Sequence, residues 1–194
     1  MRPTIKKLTI KLSAGLLLLS FIVGTVGALN GWFGGGGKIP EDTFTRGLVA
    51  YWSFDEGSGN IAYDASGNGN HGSLINGPKW TQGKIGGALS FDGMDDYVEV
   101  QNTIIPPGAM AMSVTFWMYV RNIPYEVATL IKQGSGYSFG FWHIYTQYNR
   151  VVRVMMRSTD GTQSVSVDTP IEANKWYYVA YVYDGEAVYL YLDG

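Results

Sequence analysis

An all-β sandwich that begins near residue 47 is the fold class this sequence predicts, on three observations. Short runs rich in aromatic and β-branched residues alternate apolar with polar side chains at period two. Clusters of Gly, Asn, Asp and Ser separate those runs, as tight turns between strands require. Residues 47–100 carry no helical period at all.

Composition narrows the alternatives. The 194 residues suffice for one sandwich of ordinary size plus an N-terminal appendage, and not for two comfortable domains. A formal net charge of -2 gives no electrostatic footprint for nucleic acid, so no nucleic-acid partner is expected. With no cysteine, a disulfide framework and thiolate metal sites are excluded, although the redox compartment stays open. A full sandwich buries enough apolar surface to stand without such staples.

The chain opens on a basic segment, with Arg2, Lys6, Lys7 and Lys11, followed by a nearly all-apolar run to Leu29. That order reads as an export signal or anchor over residues 1–29, expected to be helical. Small residues at Val26-Gly27-Ala28 suit a peptidase, which favours removal. Retention is equally open: the run reaches about 27 Å as a helix, just enough to span a bilayer. Trp32 and Phe33 would then sit at the interface. Either fate predicts an extracellular or cell-surface location, secreted or membrane-anchored. Residues 30–46, with four consecutive glycines at Gly34–Gly37, read as a flexible tether.

The predicted domain occupies residues 47–194. Its first run is Leu48-Val49-Ala50-Tyr51-Trp52. Further on, Met112, Val114, Phe116 and Met118 share one face, and Ser113, Thr115, Trp117 and Tyr119 the other. Val152, Val154 and Met156 oppose Arg153, Met155 and Arg157. Val188, Leu190 and Leu192 oppose Tyr189 and Tyr191. Each such strand has one core face and one outer face. In residues 139–145 both parities hold large side chains, and the inward side is undetermined. Asp193-Gly194 follows a good strand and resembles the start of a hairpin, so an unsatisfied sheet edge is expected there.

Several of these runs carry a family likeness. The segment Gly47-Leu48-Val49-Ala50-Tyr51-Trp52-Ser53-Phe54-Asp55-Glu56-Gly57-Ser58-Gly59 resembles the opening of laminin G-like, concanavalin A-like domains of the bacterial and archaeal extracellular type. Asp64-Ala65-Ser66-Gly67-Asn68-Gly69-Asn70-His71-Gly72 and Gly87-Ala88-Leu89-Ser90-Phe91-Asp92-Gly93 fit next in order. They are followed by Met112-Ser113-Val114-Thr115-Phe116-Trp117-Met118 and by Trp176-Tyr177-Tyr178-Val179-Ala180-Tyr181 running to Asp193-Gly194. The resemblance implies an antiparallel jelly-roll sandwich, incomplete at its C-terminal end. It says much about fold and little about activity.

Three site hypotheses arise. Gly67-Asn68-Gly69-Asn70-His71-Gly72 matches GxGxxG, but a short strand follows instead of the helix a dinucleotide needs, so it is rejected. Asp64, Ser66, Asn68 and Asn70 present oxygens at alternate positions like half a calcium loop, and Asp92, Asp95 and Asp96 form a second acidic turn. Asp64, Asn68, Asp92 and Asp95 are therefore candidate Ca²⁺ ligands, and the resemblance implies calcium at a sandwich rim. The competing reading gives these residues to Asx-turns. The outer-parity residues Trp117, Tyr119, Arg153, Arg157, Tyr189 and Tyr191 come from strands expected to share one sheet. Flat rings with a polar edge suit a sugar, and arginines suit its carboxylates or hydroxyls. The competing reading packs these side chains under loops.

Catalytic motifs are not found. The closely spaced carboxylates of a retaining glycosidase are missing, and neither His71 nor His143 lies in a nucleophile motif. His143, Tyr145 and Gln147 share a parity and make a thin case for a lyase, which the related fold also supports. The sequence thus predicts an exported, non-catalytic module that binds carbohydrate or a glycoprotein surface. The alternatives are an adhesive protein-binding domain and, further behind, part of a polysaccharide-degrading enzyme.

Overall fold

A computed structural model describes residues 8–11, 16–24, 47–105, 109, 111–123, 127–133, 142–147, 150–157 and 164–193. Every α- or β-element among them is a strand. The first eight are β1 Leu8–Lys11, β2 Leu16–Gly24, β3 Leu48–Trp52, β4 Ile61–Ala62, β5 Gly72–Ile75, β6 Lys79–Gln82, β7 Gly87–Ser90 and β8 Tyr97–Val100. The remainder are β9 Met112–Val120, β10 Ala128–Gln133, β11 Trp142–Gln147, β12 Val151–Arg157, β13 Ser164–Pro170, β14 Lys175–Tyr183 and β15 Val188–Leu192.

These strands form two antiparallel sheets. One runs β13-β12-β11-β10-β1-β8-β5-β4, and the other β15-β14-β9-β2-β7-β6 with β3 also paired to β2. Inward residues of both meet in one core, where Trp52, Phe54, Phe91, Phe116 and Tyr181 are the largest fully buried side chains. Each such side chain contributes about 1.5–3 kcal/mol of burial. The predicted alternation holds in detail. Met112, Val114, Phe116 and Met118 are buried, Val152 and Val154 are buried, and Tyr189 and Tyr191 are exposed. In β11 Ile144 joins the core cluster, while Tyr145, also buried, and half-buried His143 stay outside it, so the parity of Ile144 faces the core.

Turn chemistry fixes the connections. Between β14 and β15 the Asp184 carboxylate accepts from the N–H groups of Glu186 and Ala187, while Gly185 takes a φ of 105°. A side chain at Gly185 would strain that turn. Gly87 serves a different need: a Cβ there would lie 2.1 Å from the Phe54 carbonyl oxygen, so the backbone approach demands glycine. Among the described residues, strand β15 pairs only with β14 and stands at the edge of its sheet.

The helix expected over residues 1–29 falls mostly outside the described residues. Where it is described, the segment read as a signal or anchor helix is strand: β1 lies between β8 and β10, and β2 between β9 on one side and β7 and β3 on the other. A nine-residue run without alternation also suits a central strand, because periodicity alone does not separate a buried strand from a buried helix. No helix among the described residues is long and apolar enough to cross a membrane. The tether at 30–46 lies outside the described residues.

Candidate functional site

Strand β9 pairs with β14 in register, setting Trp117 opposite Tyr178 and Tyr119 opposite Trp176. Alternation sends all four outward, because Phe116, Met118, Tyr177 and Val179 take the core side. The rings meet in two cross-strand pairs, with centroids 5.2 Å apart for Trp117–Tyr178 and 5.3 Å for Tyr119–Trp176. Such pairs contribute roughly 0.5–1.5 kcal/mol beyond burial and hold the rings in place. On the next strand Tyr189 and Tyr191 stand opposite Val182 and Ala180, on the same outer face. Their rings are nearly parallel, at 17° and 6.3 Å. Lys84 Nζ lies 6.0 Å from the Trp117 ring centroid. A row of six aromatics thus crosses three strands of one sheet, with Tyr189 and Tyr191 41% and 47% exposed. Rings fixed by packing offer flat apolar surface with polar rims, the chemistry of a sugar-stacking platform.

The structure divides the six residues expected to share a sheet. Trp117, Tyr119, Tyr189 and Tyr191 share the β15-β14-β9 side of one sheet, but Arg153 and Arg157 stand on β12 in the other. The expectation of a single six-residue surface is corrected accordingly. Strand neighbours in a sandwich are set by long-range pairing, and alternation within a strand carries no information about which sheet receives it.

On that second sheet Arg153 joins a polar row instead of the aromatic one. It stands opposite Tyr145 and Asp168 in the ladder and forms a two-pronged ion pair with the Asp168 carboxylate. The hydrogen bond from Arg153 holds Asp168 below its ordinary carboxylate pKa. Next along β11, His143 Nε2 lies 2.9 Å from Thr129 Oγ1, and its ring contacts Tyr145 at 4.4 Å. Burial, helped by the charge of Lys132, pushes the His143 pKa down to about 4, so the imidazole is neutral at physiological pH. This row ties four strands together and leaves Arg153 committed to partners within its own sheet.

The two candidate calcium loops differ in kind. Asp64 Oδ1 accepts from Tyr51 N and Ser66 N, each at 2.9 Å, and Oδ2 accepts from Ser66 Oγ at 2.8 Å and Asn70 N at 2.9 Å. Burial alone would raise its pKa, but these donors outweigh it and hold the carboxyl below 3.8. The Asn68 amide donates to Leu48 O and to Ser66 Oγ, both at 3.0 Å, tying this loop to β3. These are Asx-turn roles. Asp92, Asp95 and Asp96 instead bring one carboxylate oxygen each within 4.8 Å of one another, with Asp96 buried. One oxygen of each is engaged, by Met94 N, by the Asn76 amide and by Asp92 N respectively. The donor set of three hard oxygens fits Ca²⁺ in type, with water completing the six to eight ligands it takes. Asp64 is not part of that group.

Trp176 and Tyr178 belong to the platform although the sequence reading did not single them out. Residues 175–183 read Lys-Trp-Tyr-Tyr-Val-Ala-Tyr-Val-Tyr, with aromatics on both parities. Only pairing with β9, whose parity was legible, tells which of them face outward.

A protein-family model, described as the concanavalin A-like lectin/glucanases superfamily, matches residues 92–194, more than half of the chain. It covers β9 and β14–β15, the strands that bear the aromatic row. At a stringent threshold no curated protein and no solved structure matches.

Proposed function

Given that the chain belongs to the concanavalin A-like lectin/glucanase superfamily, we propose that it is an exported, non-catalytic module that binds carbohydrate or glycosylated surfaces. The observation that carries this reading is the packed outer row of Trp117, Tyr119, Trp176, Tyr178, Tyr189 and Tyr191. A sugar ring stacks its apolar face on such rings while its hydroxyls reach the polar rims. Superfamily membership supports the ligand class, since carbohydrate binding is common on this fold. The basic-then-apolar N-terminal sequence supports export, with the module secreted or held at the cell surface.

Affinity measured against a panel of soluble polysaccharides tests this. Trp117→Ala is expected to weaken retention by at least about tenfold, equivalent to about 1.4 kcal/mol. Met94→Ser, on an exposed rim loop, is expected to leave retention unchanged. Retention lost with the rim variant and kept with the platform variant would favour protein recognition through loops. Turnover of any polysaccharide in the panel would refute the non-catalytic assignment.

The Asp92, Asp95 and Asp96 turn is the better candidate for the calcium site of this module. Added Ca²⁺ is expected to raise the melting temperature, EDTA to reverse the rise, and Asp95→Asn to abolish it. A flat response to the ion removes calcium from the reading.

A further inference from the structure

The two N-terminal strands occupy the middle of both sheets. Without β1 the eight-stranded sheet falls into β13-β12-β11-β10 and β8-β5-β4. Without β2 the other falls into β15-β14-β9 on one side and β7-β6 with β3 on the other. Either gap would leave two facing rows of unpaired backbone N–H and C=O groups, which only another strand satisfies.

The covalent link to this pair of strands is long for its task. Gly24 of β2 lies opposite Leu48 of β3 in an antiparallel ladder, a junction that two to five residues normally close. Here residues 25–46 intervene, with Gly34–Gly37 among them. Fully extended, such a connection reaches about 70 Å. A domain of this length is roughly 40 Å across. The link therefore does not dictate which copy of the domain receives the strands.

We propose that the central places of the two sheets are strand-acceptor sites, and that in chains that keep residues 8–24 with the domain, neither removed by export nor held in a bilayer, β1–β2 of one chain can complete the sandwich of a second copy. A connection of this length holds its own strands at an effective concentration of roughly millimolar, so the chain closes on itself when dilute. Exchange grows as copies crowd towards that concentration or refold together. The run Leu16–Gly24, nine residues with no charge, has little stability in water once withdrawn, which favours a filled gap over an open one.

Because the chain lacks cysteine, introduced pairs report on this without competition. Ile22 and Tyr51 are direct ladder partners, as are Thr9 and Glu99 in the other sheet. Cross-strand partners lie within the Cα separation a disulfide spans. The full chain carrying Ile22→Cys and Tyr51→Cys is expected to close within itself on oxidation. Two size-tagged chains, one with each substitution, are then refolded together at high concentration and oxidised. A shift to the mass of a mixed dimer is expected, and Ile22→Cys mixed with Tyr63→Cys is expected to give none. The Thr9→Cys and Glu99→Cys pair repeats the measurement should the first pair fail to fold. Failure of both double variants to close internally overturns the proposal, as a strand held in a bilayer would produce. Internal closure with mixed dimer no higher than the Tyr63 control overturns exchange.

Discussion

Asp64→Ala is expected to lower the unfolding free energy by about 2–4 kcal/mol, read as an earlier midpoint in urea. The residue is 7% exposed, and its two oxygens collect four donors from three residues. Removing it leaves Tyr51 N at the edge of β3 and Asn70 N in the loop without acceptors. The loss spreads further, because Asp64 N also donates to His71 Nδ1 at 3.0 Å and Trp52 Nε1 donates to Asn70 O at 2.9 Å. Asp64→Asn keeps the shape but replaces one acceptor with a donor, so an intermediate loss is expected. An alanine variant as stable as the parent would mean that water or the neighbouring hydroxyl replaces the carboxylate.

The same group sets a pH dependence whose sign follows from linkage. Its folded pKa lies below the unfolded 3.8, so the unfolded chain binds the proton first as pH falls. Its stabilisation is complete above about pH 4 and is lost progressively as pH drops through the folded value. His143 acts in a higher window. Its folded pKa of about 4 lies below the ordinary 6.5, so the unfolded state takes up the extra proton between those values and stability falls there on acidification. A midpoint that declines in two stages, the lower one missing in Asp64→Ala, is the expected signature.

How far sequence reaches in this protein depends on whether the information is local. Alternation in Met112–Val120 gave the parity of Trp117 and Tyr119 because each inward position is strictly apolar. In Lys175–Tyr183 both parities bear aromatics, and Trp176 and Tyr178 became visible only through their partners on β9. Arg153 and Arg157 have legible parity and an illegible sheet, since sheet membership is a property of distant pairings. Asp64 and Asp92 illustrate a different limit. Both look like oxygen ligands in glycine-containing turns, yet one is saturated by backbone and hydroxyl donors while the other stands in a carboxylate cluster. Residue type announces an oxygen, and only geometry says what already occupies it.

Gln133→Met is expected to cost more than any change on the outer face, about 3–6 kcal/mol. Gln133 closes β10 and is 3% exposed. Its Oε1 accepts from Ile104 N at 3.0 Å and from Ile105 N at 2.9 Å, and its Nε2 donates to Ile105 O at 2.6 Å. Ile104 and Ile105, in the segment that leaves β8, are both buried in the core. Methionine preserves the volume and removes all three bonds, leaving three buried backbone groups unsatisfied at about 1–3 kcal/mol each, partly relieved by relaxation. Hydrogen exchange supplies the specific readout: the amides of Ile104 and Ile105 should lose protection ahead of the sheets. Protection unchanged in the variant would show that other acceptors serve these amides. The contrast with Trp117→Ala separates scaffold from surface. The platform variant should lose ligand at a cost in stability of roughly 0.5–1.5 kcal/mol from its broken ring pair, and Gln133→Met should lose several times that while any chain still folded binds normally.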